Sequence, residues 1–135
     1  MIKANRRGVI FNAYQGKHKK VLTICSAGCL RSPTAAHILS SEPWNFNTRC
    51  AGTSKEYAII HVDEVLVTWA DIIICMDSDQ VRYINDLQSK IASEMFEFEY
   101  RQVINLNIED DYAYRDPKLV EILTEKFKVL FPQEE

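Results

Sequence analysis

Two short stretches of the chain are apolar at almost every position. Ile72-Ile-Ile-Cys-Met76 contains no polar side chain, and Val21-Leu-Thr-Ile-Cys25 contains only Thr23. Runs this short and this apolar predict strands covered on both faces, as in a parallel sheet. Weaker strand patterns occupy 47–51, closed by Gly52-Thr-Ser54, and 102–107. Between these runs the spacing becomes helical. Ser32-Pro33 opens a helix, with Ser32 as its cap and Pro33 in its first turn, that carries Ala35, Ala36, Ile38 and Leu39 and ends near Pro43. Residues 61–70 put Val62, Val65, Leu66 and Trp69 on one helical face. Asp77-Ser-Asp79 caps a helix bearing Val81, Ile84 and Leu87, and 117–131 form a terminal amphipathic helix. Strands alternating with helices predict an α/β, three-layer sandwich around a four-stranded parallel sheet. No internal repeat, low-complexity segment or linker interrupts the pattern.

The point where the first strand meets the first helix carries the chemistry. A loop from a strand end to a helix start turns its backbone N–H groups toward one spot, and the helix dipole adds positive potential there. Such a spot suits a phosphate or another tetrahedral oxyanion. Cys25 stands at one lip and Arg31 at the other, in the spacing Cys-x5-Arg-Ser. The loop amides of Ser26, Ala27, Gly28, Cys29 and Leu30, the helix N-terminus and Arg31 all favour the charged, nucleophilic thiolate. Arg31 offers a planar fork that holds two oxygens of a phosphoryl group. The Ser32 hydroxyl is placed to donate to the thiolate and ease its departure from a phosphocysteine. The plainer reading is a small buried cysteine at a strand end beside a surface arginine.

Phosphoester cleavage also needs a proton for the leaving oxygen. Ile108-Glu-Asp-Asp-Tyr-Ala-Tyr114 follows the fourth strand and offers three consecutive carboxylates. If that strand runs parallel to the first, its end shares the sheet edge with Cys25. A solvated acidic turn fits the same composition.

Length and composition narrow the setting. At 135 residues the chain has room for one domain with a real core. No apolar stretch approaches the ~20 residues of a membrane helix, and the N-terminus lacks the apolar core of a secretory signal. A cytoplasmic setting with reduced thiols is therefore expected for the four cysteines. No paired Cys-x2-Cys is present, so structural zinc is not expected; no cofactor is expected either. Lys3, Arg6, Arg7, Lys17, Lys19 and Lys20 lie in 1–20 without one carboxylate, while the remainder is acidic. The division expected is a basic extension over 1–19 and an α/β domain over 20–135. A solvated terminal arm is favoured over a nucleic-acid contact. Val9-Ile-Phe11 is apolar enough to pack on the core or add an edge strand.

With these residues in place, the chain resembles the low-molecular-weight protein tyrosine phosphatases. The likeness rests on four anchors: 21–35, with Cys25 through Arg31-Ser-Pro-Thr-Ala35; Cys50-Ala-Gly-Thr53; Ala70-Asp-Ile-Ile-Ile-Cys-Met-Asp77; and Ile108-Glu-Asp-Asp-Tyr112. The resemblance implies a flavodoxin-like strand order 2-1-3-4 and metal-independent hydrolysis through a phosphocysteine. It implies Cys25 as nucleophile, Arg31 as phosphate clamp, Asp110 as general acid and Tyr112 as the aromatic beside it. Asp111 takes the place of the family's proline and is the closer rival to Asp110. Asp116-Pro117 is a literal Asp-Pro but reads as the cap of the last helix. The implied substrate is a phosphorylated protein, phosphotyrosine above all, or a small phosphoester.

Several positions depart from the family pattern. Gly28 replaces an asparagine that braces the loop, and Cys50 replaces a serine of the same hydrogen-bond network. Cys29 and Leu30 shift by one position the cysteine that usually precedes the arginine. The stretch from Gly52 to Trp69 is short, as in the compact bacterial and phage branch. Tyr57, Tyr112 and Tyr114 are candidates for the cleft wall, and Lys55 and Glu56 for its rim. His37 and Cys75 read as packing residues, and Asp77 as a helix cap. His61, just before a helix, is a further candidate for contact with the site and matches no family position. Alternative readings are an arsenate reductase using Cys50 or Cys75 as redox partners, a phosphatase for nucleotide, RNA-end or metabolite phosphates, and a phosphate-binding module with little turnover.

Overall fold

The computed structural model describes residues 9–10, 19–25, 31–53, 61–108 and 117–132, with the side chains of all but 9, 10 and 31–33. Its elements are β1 (Val9–Ile10), β2 (Lys20–Cys25), α1 (Arg31–Ser40), β3 (Asn47–Gly52) and α2 (Glu64–Trp69). β4 (Ile72–Cys75), α3 (Ser78–Glu94), β5 (Gln102–Asn105) and α4 (Pro117–Leu130) follow. The sheet order is β1-β3-β2-β4-β5. β3, β2, β4 and β5 are mutually parallel, which is the 2-1-3-4 order expected from sequence. β1 extends the sheet as an antiparallel edge strand, pairing Val9 with Cys50 and Ile10 with Arg49.

Alternation along each strand separates two apolar layers, because successive side chains leave opposite faces. Val21, Cys25, Ile72, Ile74 and Met76 meet Ala35, Ile38 and Leu39 of α1 and Leu119, Leu123 and Phe127 of α4. Leu22, Ile24, Ile73 and Cys75 meet Leu66 and Val67 of α2 and Ile84 and Ile91 of α3. The sheet is thus buried on both sides, which is why β2 and β4 read as continuous apolar runs. None of the described helices is long and apolar enough to cross a membrane.

Helix boundaries differ from the sequence reading in instructive ways. α1 begins at Arg31, so Ser32 lies within the first turn and is not the cap. It ends at Ser40, where the hydroxyls of Ser40 and Ser41 both donate to the His37 carbonyl (2.8 and 2.9 Å). α2 is shorter than 61–70 because Asp63 caps it, accepting from Leu66 N–H at 2.9 Å. That start rotates Val65 outward, 45% exposed, and turns Val67 into the core. In α3 the buried stripe is Gln80, Ile84, Gln88 and Ile91, with Val81 and Leu87 only half-buried. The two glutamines are brackets. Gln88 accepts from Arg101 N–H at 2.6 Å and donates to the Arg101 carbonyl at 3.3 Å, fixing the entry to β5. β5 stops at Asn105, whose side-chain oxygen accepts from Asn107 N–H at 2.8 Å. Asn107 takes a positive φ of 58°, a conformation asparagine tolerates better than most residues.

Candidate active site

β2 is the strand on either side of which the chain builds outward, first to β3 and then to β4. In open parallel sheets, ligands bind outside the carboxyl ends of the strands at such a switch point. Cys25 is the last residue of β2 and is 3% exposed. Its neighbour in register on β3 is Gly52, which sets no side chain beside Cys25 on that strand. The Cys25 carbonyl accepts from Thr53 N–H at 3.1 Å, the last bond joining the ends of β2 and β3. α1 starts at Arg31, so the chain passes from strand end to helix start within 26–30. The N-termini of α1 and α3 therefore lie at the same sheet edge as Cys25, adding favourable potential for an anion.

The β4 side of this edge is built from Met76, Asp77 and Gln80. Asp77 caps α3, its Oδ1 accepting from Gln80 N–H at 3.0 Å, as the sequence predicts. Gln80 is 1% exposed. Its Oε1 accepts from Met76 N–H at 2.7 Å and its Nε2 donates to Asp77 Oδ2 at 3.2 Å. The Met76 carbonyl in turn accepts from Ile108 N–H at 2.8 Å, and the Cys75 carbonyl from Leu106 N–H at 2.9 Å. The chain leaving β5 is thus tied to the end of β4, on the edge that Cys25 occupies. Two positions beyond Ile108 in sequence stands Asp110.

Of the sequence-predicted site residues, Cys25 is placed fully by the structure and Arg31 and Ser32 by their backbone in the first turn of α1. Ser26, Ala27, Gly28, Cys29, Leu30, Asp110 and Tyr112 lie outside the described residues. So do Lys55, Glu56, Tyr57, Asp111, Tyr114 and Asp116. Cys25, Cys50 and Cys75 are all buried thiols. The register sets Cys50 beside Thr23, on the sheet face of Cys25, whereas Cys75 belongs to the opposite layer. Burial pushes the Cys75 thiol up to about 12, and the nearby Asp77 charge adds to the rise. That thiol stays protonated and inert at neutral pH.

Gln80 escaped the sequence reading, since a glutamine in an amphipathic helix carries no distinguishing spacing. Its signal was positional: it follows within about one turn of the strand end at Met76-Asp77.

Comparison with solved structures bears directly on this geometry. The tyrosine phosphatase AmsI of Erwinia amylovora superposes with a TM-score of 0.61, covering 90% of this chain and 99% of its own at 11% identity. The low-molecular-weight protein tyrosine phosphatase SP-PTP of Streptococcus pyogenes gives 0.57, over 85% of this chain and 95% of its own at 14% identity. The fold is that of the low-molecular-weight protein tyrosine phosphatases. A Drosophila arginine phosphatase shares the same fold, with a TM-score of 0.54 over 86% of this chain and 99% of its own at 14% identity. No protein-family model matches the chain, and no curated protein matches it. The phosphatase fold is kept here although few residues are shared, because buried strands and helix stripes tolerate wide exchange of apolar side chains.

Proposed function

We propose that the protein is a metal-independent phosphomonoester hydrolase in which Cys25 is the nucleophile. One observation carries this reading: Cys25 ends the strand at the topological switch point, and the next element in the chain is the helix that begins at Arg31. A shared fold alone would not suffice, because function resides in the site. In the proposed reaction the Cys25 thiolate attacks phosphorus, while Arg31 and the amides of 26–30 bind the equatorial oxygens. Asp110 protonates the leaving oxygen and then activates water against the phosphocysteine, with Ser32 stabilising the departing thiolate. Tyr112 borders the cleft. The catalytic unit is the domain over 20–135, and Val9–Ile10 of the basic N-terminal segment adds an edge strand to its sheet.

Phosphotyrosine in a protein is the substrate we favour. The arginine phosphatase of the same fold makes phosphoarginine the first alternative, and small phosphoesters the next. A thiol relay of the arsenate-reductase kind through Cys75 is disfavoured, since Cys75 lies across the sheet from Cys25 and its burial holds it protonated.

The test is hydrolysis of p-nitrophenyl phosphate by wild type, Cys25→Ser and Asp110→Asn. The expected result is loss of turnover in Cys25→Ser and a fall of about 10²-fold or more in Asp110→Asn. Equal rates in all three would refute the mechanism. Phosphotyrosine and phosphoarginine peptides and a mononucleotide, assayed side by side, then rank the substrates.

A further inference from the structure

His61 has no part in the chemistry above, yet a short series of contacts joins it to Cys25. The turn at Gly52 and Thr53 ends β3, and Thr53 N–H donates to the Cys25 carbonyl at 3.1 Å. The segment entering α2 lies against this turn. Gly52 and His61 form a parallel bridge, and Val62 N–H donates to the Gly52 carbonyl at 3.0 Å. His61 Nε2 sits 3.2 Å from the Thr53 carbonyl oxygen. The Tyr83 hydroxyl lies 3.3 Å from the same Nε2, and the two rings meet edge to face, 5.9 Å apart at 77°.

The chemistry of these partners orders the contacts. A carbonyl oxygen only accepts, so its approach to Nε2 assigns the ring proton to Nε2. Nε2–H then donates to Thr53, with the Tyr83 oxygen as a second acceptor on the same proton. Tyr83 projects from α3, the longest helix of the described residues (17 residues), so the ring is anchored to a rigid element and not to its own loop. The Thr53 carbonyl, at the point where the β2–β3 ladder ends, has a protein donor in place of water. Both sides of Thr53 are thereby fixed, its N–H by Cys25 and its carbonyl by His61.

We propose that His61, oriented by Tyr83, is a positioning residue for the nucleophile. It holds the Thr53 turn rigid and, through it, the carbonyl of Cys25, which sets the direction in which the chain leaves β2 for the anion-binding loop. The inference rests on Cys25 being the nucleophile. It differs from a packing role in one respect: it requires an N–H donor at the position of Nε2, and a ring-shaped volume alone does not meet that need.

The experiment uses the full chain with three substitutions. His61→Leu fills the space without a donor, His61→Gln returns an N–H donor, and Tyr83→Phe keeps the ring but removes the hydroxyl. kcat and KM for p-nitrophenyl phosphate are measured together with the rate of Cys25 alkylation by iodoacetamide at neutral pH, followed on the Cys25 peptide by mass spectrometry. His61→Leu is expected to lower kcat roughly ten-fold, the equivalent of one hydrogen bond. KM should hold within about two-fold, since the phosphate-binding groups are untouched. Cys25 alkylation should change several-fold, His61→Gln should recover most of both losses, and Tyr83→Phe should fall between.

Unchanged kcat and alkylation in His61→Leu would overturn the proposal. So would His61→Gln as impaired as His61→Leu, which would indicate packing. Should His61→Leu fail to fold, wild-type behaviour of Tyr83→Phe and His61→Gln lower than Tyr83→Phe in both readouts would count against it. If wild type and Cys25→Ser turn over equally, the phosphatase reading fails. Alkylation, which needs no turnover, then still decides the positioning role: an unchanged rate in His61→Leu overturns it, a changed rate supports it.

Discussion

Replacing Gln80 by leucine tests how the site edge is held together. Gln80 is buried and answers three polar groups at the β4–α3 turn: Met76 N–H, Asp77 Oδ2 and, through its own N–H, Asp77 Oδ1. Leucine keeps the volume and the backbone bond but removes both side-chain bonds. Met76 is fully buried, so its N–H loses the Gln80 acceptor with no access to water. Such an orphaned group costs about 1–3 kcal/mol, and the Asp77 bond adds about 0.5–1.5. Leucine recovers some burial energy, leaving a net loss of about 2 kcal/mol, or a Tm about 6 °C lower for a domain of this size. Gln80→Glu sharpens the test. It preserves the acceptor for Met76 but sets an oxygen against Asp77 Oδ2, where two charges would repel by about 5 kcal/mol at an effective dielectric near 20. The folded state then holds a proton that the unfolded chain has released. Stability of Gln80→Glu therefore falls, relative to wild type, as pH rises above the ordinary carboxylate range. Thermal melts at acidic and neutral pH provide the assay. If Gln80→Leu melted with the wild type, or the Gln80→Glu deficit were independent of pH, the bracket would not be holding this turn.

Two further outcomes concern stability. The Cys75 thiol is raised from 9.0 to about 12 in the fold, so the unfolded chain loses this proton first and stability declines as pH climbs above 9. Urea titrations should show wild type losing up to about 1.4 kcal/mol more than Cys75→Ala for each pH unit between 9 and about 12, and parallel curves would contradict the burial argument. Phe127 is fully buried, packed edge-on against Trp44 at 6.0 Å and tilted against Phe131 at 6.3 Å. Phe127→Ala should cost about 3–5 kcal/mol in chemical denaturation, and a loss below 1 would show that the α4 contact is not part of the main core.

The elements that were legible in the chain were those whose pattern is complete within a few residues. β2 and β4 announce burial on both faces through unbroken apolar runs. Cys25 and Arg31 stand out because their spacing brackets a strand end and a helix start. α2 was legible as a helix but not in its facing, because the Asp63 cap sets the rotation and moves Val65 outward and Val67 inward. Gln80 and Gln88 were not legible as buried residues, since nothing in a glutamine says whether water or a backbone amide will satisfy it. His61 was noticed in the sequence without a role, because its partners Thr53 and Tyr83 are brought to it from β3 and α3.

The amino-acid sequence by itself determined the alternation of strands and helices, the parallel sheet, and a thiol at the end of its first long strand. These follow from local periodicity and from the conformational preferences of short segments. Only the tertiary structure decided that β1 closes one edge of the sheet. It also decided that Cys75 lies across the sheet from Cys25, and that the turn beside Cys25 is held from α3 through His61 and Tyr83. Those outcomes depend on which buried polar groups find partners across the fold, and no local pattern encodes that pairing.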